Sequence, residues 1–254
     1  MPVSESTFKA NSFNIMEPGH SSVDSGYLID KEKSTRYWED ANADDDGMLG
    51  GVSSVAGFSS TSKIDLQGSR GFLAKLGVGR ASNRRTVDCA LEGGAGIGRV
   101  TGGLLSTVAS HIDIIEPVAK FNTRLRENAC VRQIFNVGLE EWLPADGVLY
   151  DLVWIQWCVG YLTDEHLVGF LMRCQQALNP ENGVIVMKEN ISTSDADYFD
   201  DTDNSLTRKD SKFRNIFCQA GLRIIRTELQ RGLSAGSPRK LLPVRMYALK
   251  PRLC

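Results

Sequence analysis

Short apolar runs alternate with longer amphipathic segments along most of the chain. The apolar runs predict strands at about 87–91, 112–115, 133–137, 152–155 and 184–187. The amphipathic segments predict helices at about 98–109, 118–129, 164–178 and 208–220. Such alternation favours an α/β fold with a mainly parallel sheet and helices on both faces. Two later runs, 222–229 and 244–249, have no helix between them and predict an antiparallel hairpin at one edge.

The first 80 residues differ in pattern from the rest. Residues 1 to about 30 are rich in Ser, Asn and Gly and contain few aromatics, which predicts a disordered tail. A helix is predicted from about Asp30 through Trp38, and another from Asp65 to Gly77 because apolar residues recur at helical spacing. We therefore expect a tail over 1–30 and a single domain over 31–254, with a helical cap over 31–80.

Composition and charge narrow the functional classes. Hydrophobic residues make up 42% and charged residues 24%, as in an ordinary globular domain. The net charge of −2 gives no basic surface for nucleic acid or an anionic membrane, and no apolar run approaches the roughly 18 residues of a membrane span. The six cysteines lack CxxC spacing and the three histidines stand apart, so no metal site is expected. These features favour a protein of the cytoplasm, with the nucleus as a further possibility.

A glycine-rich segment follows the first predicted strand and opens a helix. Gly94, Gly96 and Gly98 alternate with other residues, and Arg99 follows them. Glycines allow a positive φ or a close approach of a ligand, and the start of a helix offers free N–H groups. Alone, the pattern is equally compatible with a tight structural turn. Its spacing differs from the GxGxxG of dinucleotide sites, and Arg99 is placed to pair with a carboxylate.

Polar residues also follow the next predicted strands. Glu116 ends the second strand, where an acid can accept both hydroxyls of a ribose. Residues 138–142 follow the third strand, and Gln156 and Trp157 follow the fourth. Because ligands of such sheets bind at the carboxyl ends of the strands, we expect these elements to converge on one site. With the spacing of its glycines, this site resembles the cofactor site of class I methyltransferases.

A longer set of segments carries a more specific resemblance. They are Tyr-Trp at 37–38, Asp-Gly-Met-Leu-Gly-Gly at 46–51, Trp-Ile-Gln-Trp at 154–157, Lys-Glu-Asn at 188–190, Asp-Asp-Thr-Asp at 200–203 and Pro-Val-Arg-Met-Tyr-Ala-Leu at 243–249. In this order they resemble the eukaryotic protein α-N-terminal methyltransferases, over residues 34 to 250. These enzymes act on chains that begin X-Pro-Lys once the initiator Met is removed. The resemblance implies S-adenosylmethionine as cofactor and a Rossmann-like fold with a seven-stranded, mainly parallel sheet and an N-terminal helical extension.

The resemblance also implies roles for individual residues. The cofactor residues would be Gly94, Gly96, Arg99, Glu116, Leu139, Glu140 and Gln156. The substrate channel, to which the cap would contribute, would involve Tyr37, Trp38, Leu49, Gly50, Trp157, Tyr161, Asp200 and Ser205. Asn190 would hold the α-amino group and Asp203 would act as base. The expected partners are proteins with X-Pro-Lys N-termini, such as ribosomal proteins, and the enzyme is expected to be a monomer.

The expected chemistry needs little base strength. An α-amine has an unperturbed pKa of about 7.7–8.0 against about 10.4 for Lys, so it is readily deprotonated near neutral pH. Asp203 would take the proton as the nitrogen attacks the methyl group. By composition alone, the acidic run around it, 195–203, favours a solvated loop, but its place after the fifth strand puts it beside the ligand edge of the sheet.

Three departures from the family pattern lie on the acceptor side. Val52 and Ser53 replace a usual Tyr-Gly, Tyr161 replaces a His proposed to share the role of base, and Leu242 replaces a Tyr. A phenol cannot act as a base at neutral pH but can donate a hydrogen bond. Two alternatives therefore stay open: a class I methyltransferase with another acceptor, such as a small-molecule amine or an internal side chain, and a non-catalytic adaptor that binds protein N-termini.

Overall fold

A computed structural model of the protein describes residues 28–233 and 241–252. The main sheet has seven strands in the order β3-β2-β1-β4-β5-β9-β8, and β6 and β7 form a separate hairpin. The strands are β1 Val87–Gly93, β2 Ala109–Ile115, β3 Val131–Phe135, β4 Leu152–Gln156, β5 Val184–Asn190, β6 Tyr198–Asp200, β7 Ser205–Thr207, β8 Leu222–Leu229 and β9 Val244–Pro251.

The sheet confirms the predicted fold class. Strands β1 to β5 pair in parallel, while β9 is antiparallel to both β5 and β8. All side chains of β4 and β5 are buried, as expected for central strands covered by helices on both faces. The two closing strands pair with each other as predicted, and β9 lies between β5 and the edge strand β8.

The helices follow the prediction in place but not always in length. They are α1 Lys31–Asp40, α2 Asp45–Met48, α3 Thr61–Lys75, α4 Arg99–Gly103, α5 Asn122–Arg126, α6 Asp164–Gln176 and α7 Asp210–Gln219. The predicted helix over 98–109 was wrong in extent, because α4 ends at Gly103 and a 3-10 turn leads into β2 at Ala109. Gly102 and Gly103 disfavour continuation, since glycine loses the most conformational freedom in a helix. The predicted helix over 118–129 is likewise shortened to a 3-10 turn, 119–121, and α5.

Helices α1 and α3 begin the described part of the chain. Asp30 is the N-cap of helix α1, because its carboxylate accepts hydrogen bonds from the backbone N–H groups of Glu32 and Lys33. Helix α3 buries Phe72 and Leu73 against one face of the sheet. Residues 1–27 of the predicted tail lie outside the described residues. The division of the chain into a tail, a helical cap and a domain therefore stays a prediction. Among the described helices, none has the length and apolarity to cross a bilayer.

Candidate active site

A cavity of about 160 Å³ opens at the carboxyl ends of β1, β2 and β4. Its lining includes all seven residues that were predicted to bind the cofactor: Gly94, Gly96, Arg99, Glu116, Leu139, Glu140 and Gln156. The strand ends therefore converge as the sequence pattern predicted, and we call this space the cofactor cavity. Helix α1 closes one side of it through Lys31, Ser34, Thr35 and Trp38.

The turn after β1 requires its glycines. Gly94 and Gly96 have φ values of 65° and 55°, in the left-handed region that favours glycine. A Cβ at Gly94 would come within 2.4 Å of the Cβ of Cys158, and one at Gly96 within 2.6 Å of the sulfur of Met48. A side chain at Gly94 would therefore clash with Cys158, and one at Gly96 would displace Met48 from its place in the cavity wall.

Glu116 ties this turn to the end of β2. Its Oε2 accepts the Gly96 N–H at 2.7 Å and its Oε1 accepts the Val118 N–H at 2.8 Å. Burial raises the pKa of Glu116 to about 7, although both hydrogen bonds oppose the shift. Each carboxylate oxygen has a second lone pair, so the group retains acceptor capacity for ligand hydroxyls.

Arg99 lies in a buried charged cluster that sequence reasoning missed. Its Nη1 donates to Oδ2 of Asp65 at 2.8 Å, and the Nζ of Lys188 lies 2.5 Å from Oδ1 of Asp65. Burial opposes the ionisation of Asp65, but the two cations lower its pKa overall. With two cations and one anion, the cluster has an excess positive charge beside the cavity. This charge, the glycine turn and Glu116 fit a ligand with a carboxylate and a ribose.

The sequence of α3 contained no signal for this cluster. Thr61, Asp65 and Ser69 are polar, stand four residues apart on α3 and are all buried. Residues four apart share one face of a helix, and in a sequence such a polar row predicts a solvent-exposed face rather than a buried charge partner.

A second, smaller cavity adjoins the first. The two share Trp38, Met48, Trp157 and Tyr161 as lining residues. The remaining lining of this second space, which we call the acceptor pocket, consists of Gly160, Glu189, Asn190, Asp203, Ser205, Leu206 and Thr207. Six residues predicted for catalysis or substrate binding thus meet here: Trp38, Trp157, Tyr161, Asn190, Asp203 and Ser205.

Asp203 is held at the acceptor pocket by two donors. Its Oδ1 accepts the Ser205 N–H at 3.1 Å and its Oδ2 accepts the Tyr161 hydroxyl at 3.2 Å. Burial raises the pKa of Asp203 to about 6. Burial, with Asp203 nearby, also raises the pKa of Tyr161 well above 10, so the phenol is a donor at neutral pH.

Asn190 offers an acceptor to a ligand. Its side chain is more than nine-tenths buried, and Oδ1 has no hydrogen-bond partner within the described part of the chain. A buried carbonyl oxygen without a partner is costly, so a ligand N–H would satisfy it.

Trp157 forms the wall between the two cavities. Its φ of 54° is unusual for a bulky residue and indicates a backbone that the surrounding structure holds in place. The guanidinium carbon of Arg99 lies 5.4 Å from the centre of its ring, and the Nζ of Lys188 lies 5.9 Å from it. The charged cluster therefore borders this wall directly.

Four predicted substrate residues do not line either cavity in the described structure. Tyr37 packs edge-on against Trp38 at 5.3 Å, and Asp200 pairs with Ser205 across the β6–β7 hairpin. Leu49 is fully buried in an apolar cluster against which Trp157 packs, and Gly50 follows it with a φ of 61°. The adjacent Met48, which was not predicted as a site residue, lines both cavities instead. Its place within the segment 46–51 was the sequence signal that could have identified it.

Within residues 28–233 and 241–252, no three His, Cys, Asp or Glu side chains are grouped as a metal site requires.

The sheet order, the glycine-rich turn after β1 and the acid after β2 define a class I S-adenosylmethionine-dependent methyltransferase. A family model described as AdoMet-dependent proline di-methyltransferase matches residues 28–250. The chain therefore belongs to this family, and S-adenosylmethionine is its cofactor.

Curated relatives agree with this assignment. The chain is 40% identical to alpha N-terminal protein methyltransferase 1 of Schizosaccharomyces pombe over 85% of this chain and 93% of that protein. It is 36% identical to N-terminal Xaa-Pro-Lys N-methyltransferase 1 of Homo sapiens over 86% of this chain and 94% of that protein.

Solved structures support the same fold. A SAM-dependent methyltransferase of Leishmania major matches with a TM-score of 0.73 and 36% identity over 88% of this chain and 86% of that chain. A phosphoethanolamine N-methyltransferase of Haemonchus contortus matches with a TM-score of 0.67 at 16% identity, over 88% of this chain and 49% of that one. The second likeness concerns the fold alone.

Proposed function

We propose that this enzyme methylates the α-amino group of proteins whose processed N-terminus begins Xaa-Pro-Lys. The observation that carries the proposal is the acceptor pocket, where the unpartnered Oδ1 of Asn190 and the carboxylate of Asp203 adjoin the cofactor cavity. The names of the curated relatives support the same acceptor.

The residues of the pocket have distinct parts in the reaction. When bound, S-adenosylmethionine supplies a methyl group on a positively charged sulfur, which an amine lone pair can attack. The Oδ1 of Asn190 accepts one N–H of the amine and so orients the nitrogen. As the N–C bond forms and the C–S bond breaks, the nitrogen loses one proton, which Asp203 accepts. With a pKa of about 6, Asp203 is mostly ionised at neutral pH.

The pocket favours an α-amine over a Lys side chain. Burial disfavours the charged form of an amine and lowers its pKa, while an adjacent carboxylate raises it. An α-amine starts from a pKa of about 7.7–8.0 and needs little further help, whereas Lys starts from about 10.4. The same pocket therefore deprotonates an N-terminus at much lower cost.

The β6–β7 hairpin is the proposed site for the Lys of the substrate. Asp200 and Ser205 face each other across it, and Ser205 also lines the acceptor pocket. A carboxylate beside a hydroxyl is a suitable partner for an ammonium group. We propose ribosomal proteins with this N-terminal sequence as substrates. We also propose that the enzyme acts as a monomer and is located in the cytoplasm and the nucleus.

A panel of acceptors tests the proposal. The panel contains an Xaa-Pro-Lys peptide, the same peptide with an acetylated N-terminus, and small-molecule amines, each incubated with S-adenosylmethionine and read by mass. Methylation of the free peptide alone is expected. Methylation of the acetylated peptide would point to a side-chain acceptor, and preference for small amines would point to another methyltransferase class. Peptide binding without a product would indicate an adaptor.

A further inference from the structure

Two proposed cofactor residues share one buried partner outside the cofactor cavity. Asp65, on α3, is fully buried and accepts the Arg99 Nη1 at 2.8 Å. Each of its two carboxylate oxygens also accepts a hydrogen bond from the Nε2 of Gln156 at 3.0 Å. One carboxylate thus contacts residues that follow β1 and end β4, although Asp65 does not line the cavity.

These contacts fix the direction of both side chains. The Oε1 of Gln156 accepts the indole N–H of Trp154 at 3.1 Å, so the amide is held at both ends. The guanidinium of Arg99 has five N–H donors, and its hydrogen bond to Asp65 leaves others for a ligand. Gln156 and Arg99 are therefore oriented before any cofactor arrives, which lowers the cost of ordering them on binding.

Asp65 also balances the charges beneath the site. Lys188 is fully buried, and its Nζ donates to the backbone oxygen of Asp65, to Ser69 and to Gln230. Arg99 is 8% exposed. Two buried cations without an anion would be strongly unfavourable, so without Asp65 the more accessible Arg99 would turn away.

We propose that Asp65 is a positioning residue through which α3 directs Arg99 and Gln156 to the amino-acid end of S-adenosylmethionine. The proposal rests on the proposed assignment of Arg99 to the cofactor carboxylate. It makes α3, which lines neither cavity, a support of the cofactor site.

The test compares two ligands that differ at one end. S-adenosylhomocysteine has the amino-acid carboxylate, whereas 5′-methylthioadenosine has the same adenosine and sulfur but lacks that end. For Asp65→Asn, calorimetry should show affinity for S-adenosylhomocysteine reduced about ten-fold, the loss typical of a misplaced charged hydrogen bond. Affinity for 5′-methylthioadenosine should change less than about two-fold. An equal loss of affinity for both ligands would indicate general damage to the fold. Unchanged or tighter binding of S-adenosylhomocysteine would show that Asp65 only competes with the ligand carboxylate for Arg99. Either result overturns the proposal.

Asp113→Asn is the matched control. Asp113 is buried and bonded to Arg132 and Tyr150, away from the cofactor cavity, so its loss breaks a similar pair without changing ligand preference. Arg99→Gln tests the assignment of Arg99 to the cofactor carboxylate separately from the role of Asp65. If Arg99→Gln does not weaken S-adenosylhomocysteine binding more than 5′-methylthioadenosine binding, the assignment of Arg99 fails. If Arg99→Gln shows this selective loss and Asp65→Asn does not, only the role of Asp65 fails.

A double variant keeps the test valid if Asp65→Asn does not fold. Asp65→Asn with Lys188→Met removes one anion and one cation, so only Arg99 remains charged. The same selective loss for S-adenosylhomocysteine is expected, because Arg99 has still lost the partner that directs it. Equal affinity of this variant and the wild type for S-adenosylhomocysteine would contradict the proposal.

Discussion

At the residue scale, the acceptor pocket depends on the hydrogen bond between Tyr161 and Asp203. The phenol donates to the carboxylate at 3.2 Å and so stabilises its ionised form. Tyr161 stands where the family resemblance implies a His, and its hydroxyl is hydrogen-bonded to the proposed base. Tyr161 therefore supports Asp203 as a donor, and the acceptor pocket holds one other carboxyl among its described lining residues, that of Glu189.

Replacing Tyr161 with Phe should shift the pH dependence of the reaction. Asp203 must be ionised to accept a proton, so activity is lost as pH falls through its pKa of about 6. Loss of the phenol donor raises that pKa, and the acidic limb of a kcat profile should move to higher pH. An unchanged acidic limb would show that another group controls it.

Asp203→Asn should reduce turnover far more than peptide binding. A positioned base contributes about 100-fold or more to rate, and an amide of the same shape cannot take the proton. The exposed neighbour Asp201 provides the control, since Asp201→Asn removes the same charge from the same segment. Steady-state kinetics on one Xaa-Pro-Lys peptide measure both variants, and similar kcat values for the two would place the base elsewhere.

At the scale of elements, α1 covers the cofactor cavity and is held there by polar contacts. The Nζ of Lys31 lies 2.6 Å from carboxylate oxygens of both Glu140 and Glu141, after β3. Asn204, next to Asp203, donates to Ser34 on the same helix at 2.9 Å. Trp38 adds an apolar anchor, because it packs against the cluster of Ile97, Val118 and Phe121, and these polar contacts fix the rest of the helix.

Lys31→Gln should therefore loosen the cover over the cofactor. Exposed ion pairs contribute up to about 1 kcal/mol, so dissociation of S-adenosylhomocysteine should accelerate by up to about five-fold, and less at high salt. Lys33→Gln, on an exposed position of the same helix, is the control. Stopped-flow release rates that are equal for Lys31→Gln and wild type would show that α1 does not limit release.

The sequence predicted those elements whose pattern is set locally. Buried strands such as β4 and β5 appear as continuous apolar runs, and the glycine turn follows directly from its spacing. The β6–β7 hairpin was missed, because its acidic segment has the composition of a loop. Asp65 was missed as a site residue because its partners come from α4, β4 and β5, which only the folded chain brings together.

At the scale of the whole molecule, several buried carboxyls make stability depend on pH. Burial raises the pKa of Glu92 to about 8, those of Glu116 and Glu189 to about 7, and that of Asp203 to about 6. In the unfolded chain such groups titrate near about 4. Between these values the folded chain holds more protons, so the free energy of unfolding decreases as pH rises.

The melting temperature without cofactor should therefore fall between about pH 5 and pH 8. Glu92→Gln should flatten this decline, because an amide accepts the hydrogen bond from Thr101 without ionising. Glu181→Gln, on an exposed turn, should leave the slope unchanged. Parallel slopes for wild type and Glu92→Gln in scanning calorimetry would show that Glu92 is not protonated in the folded enzyme.

The central claim concerns which nitrogen receives the methyl group. A single Xaa-Pro-Lys peptide contains both an α-amine and a Lys side-chain amine, so the two compete within one molecule. After incubation with S-adenosylmethionine, tandem mass spectrometry locates each added methyl. We expect every methyl on the α-nitrogen and none on the Lys. Methylation of the Lys side chain, or no methylation at all of a peptide that binds, would contradict the account.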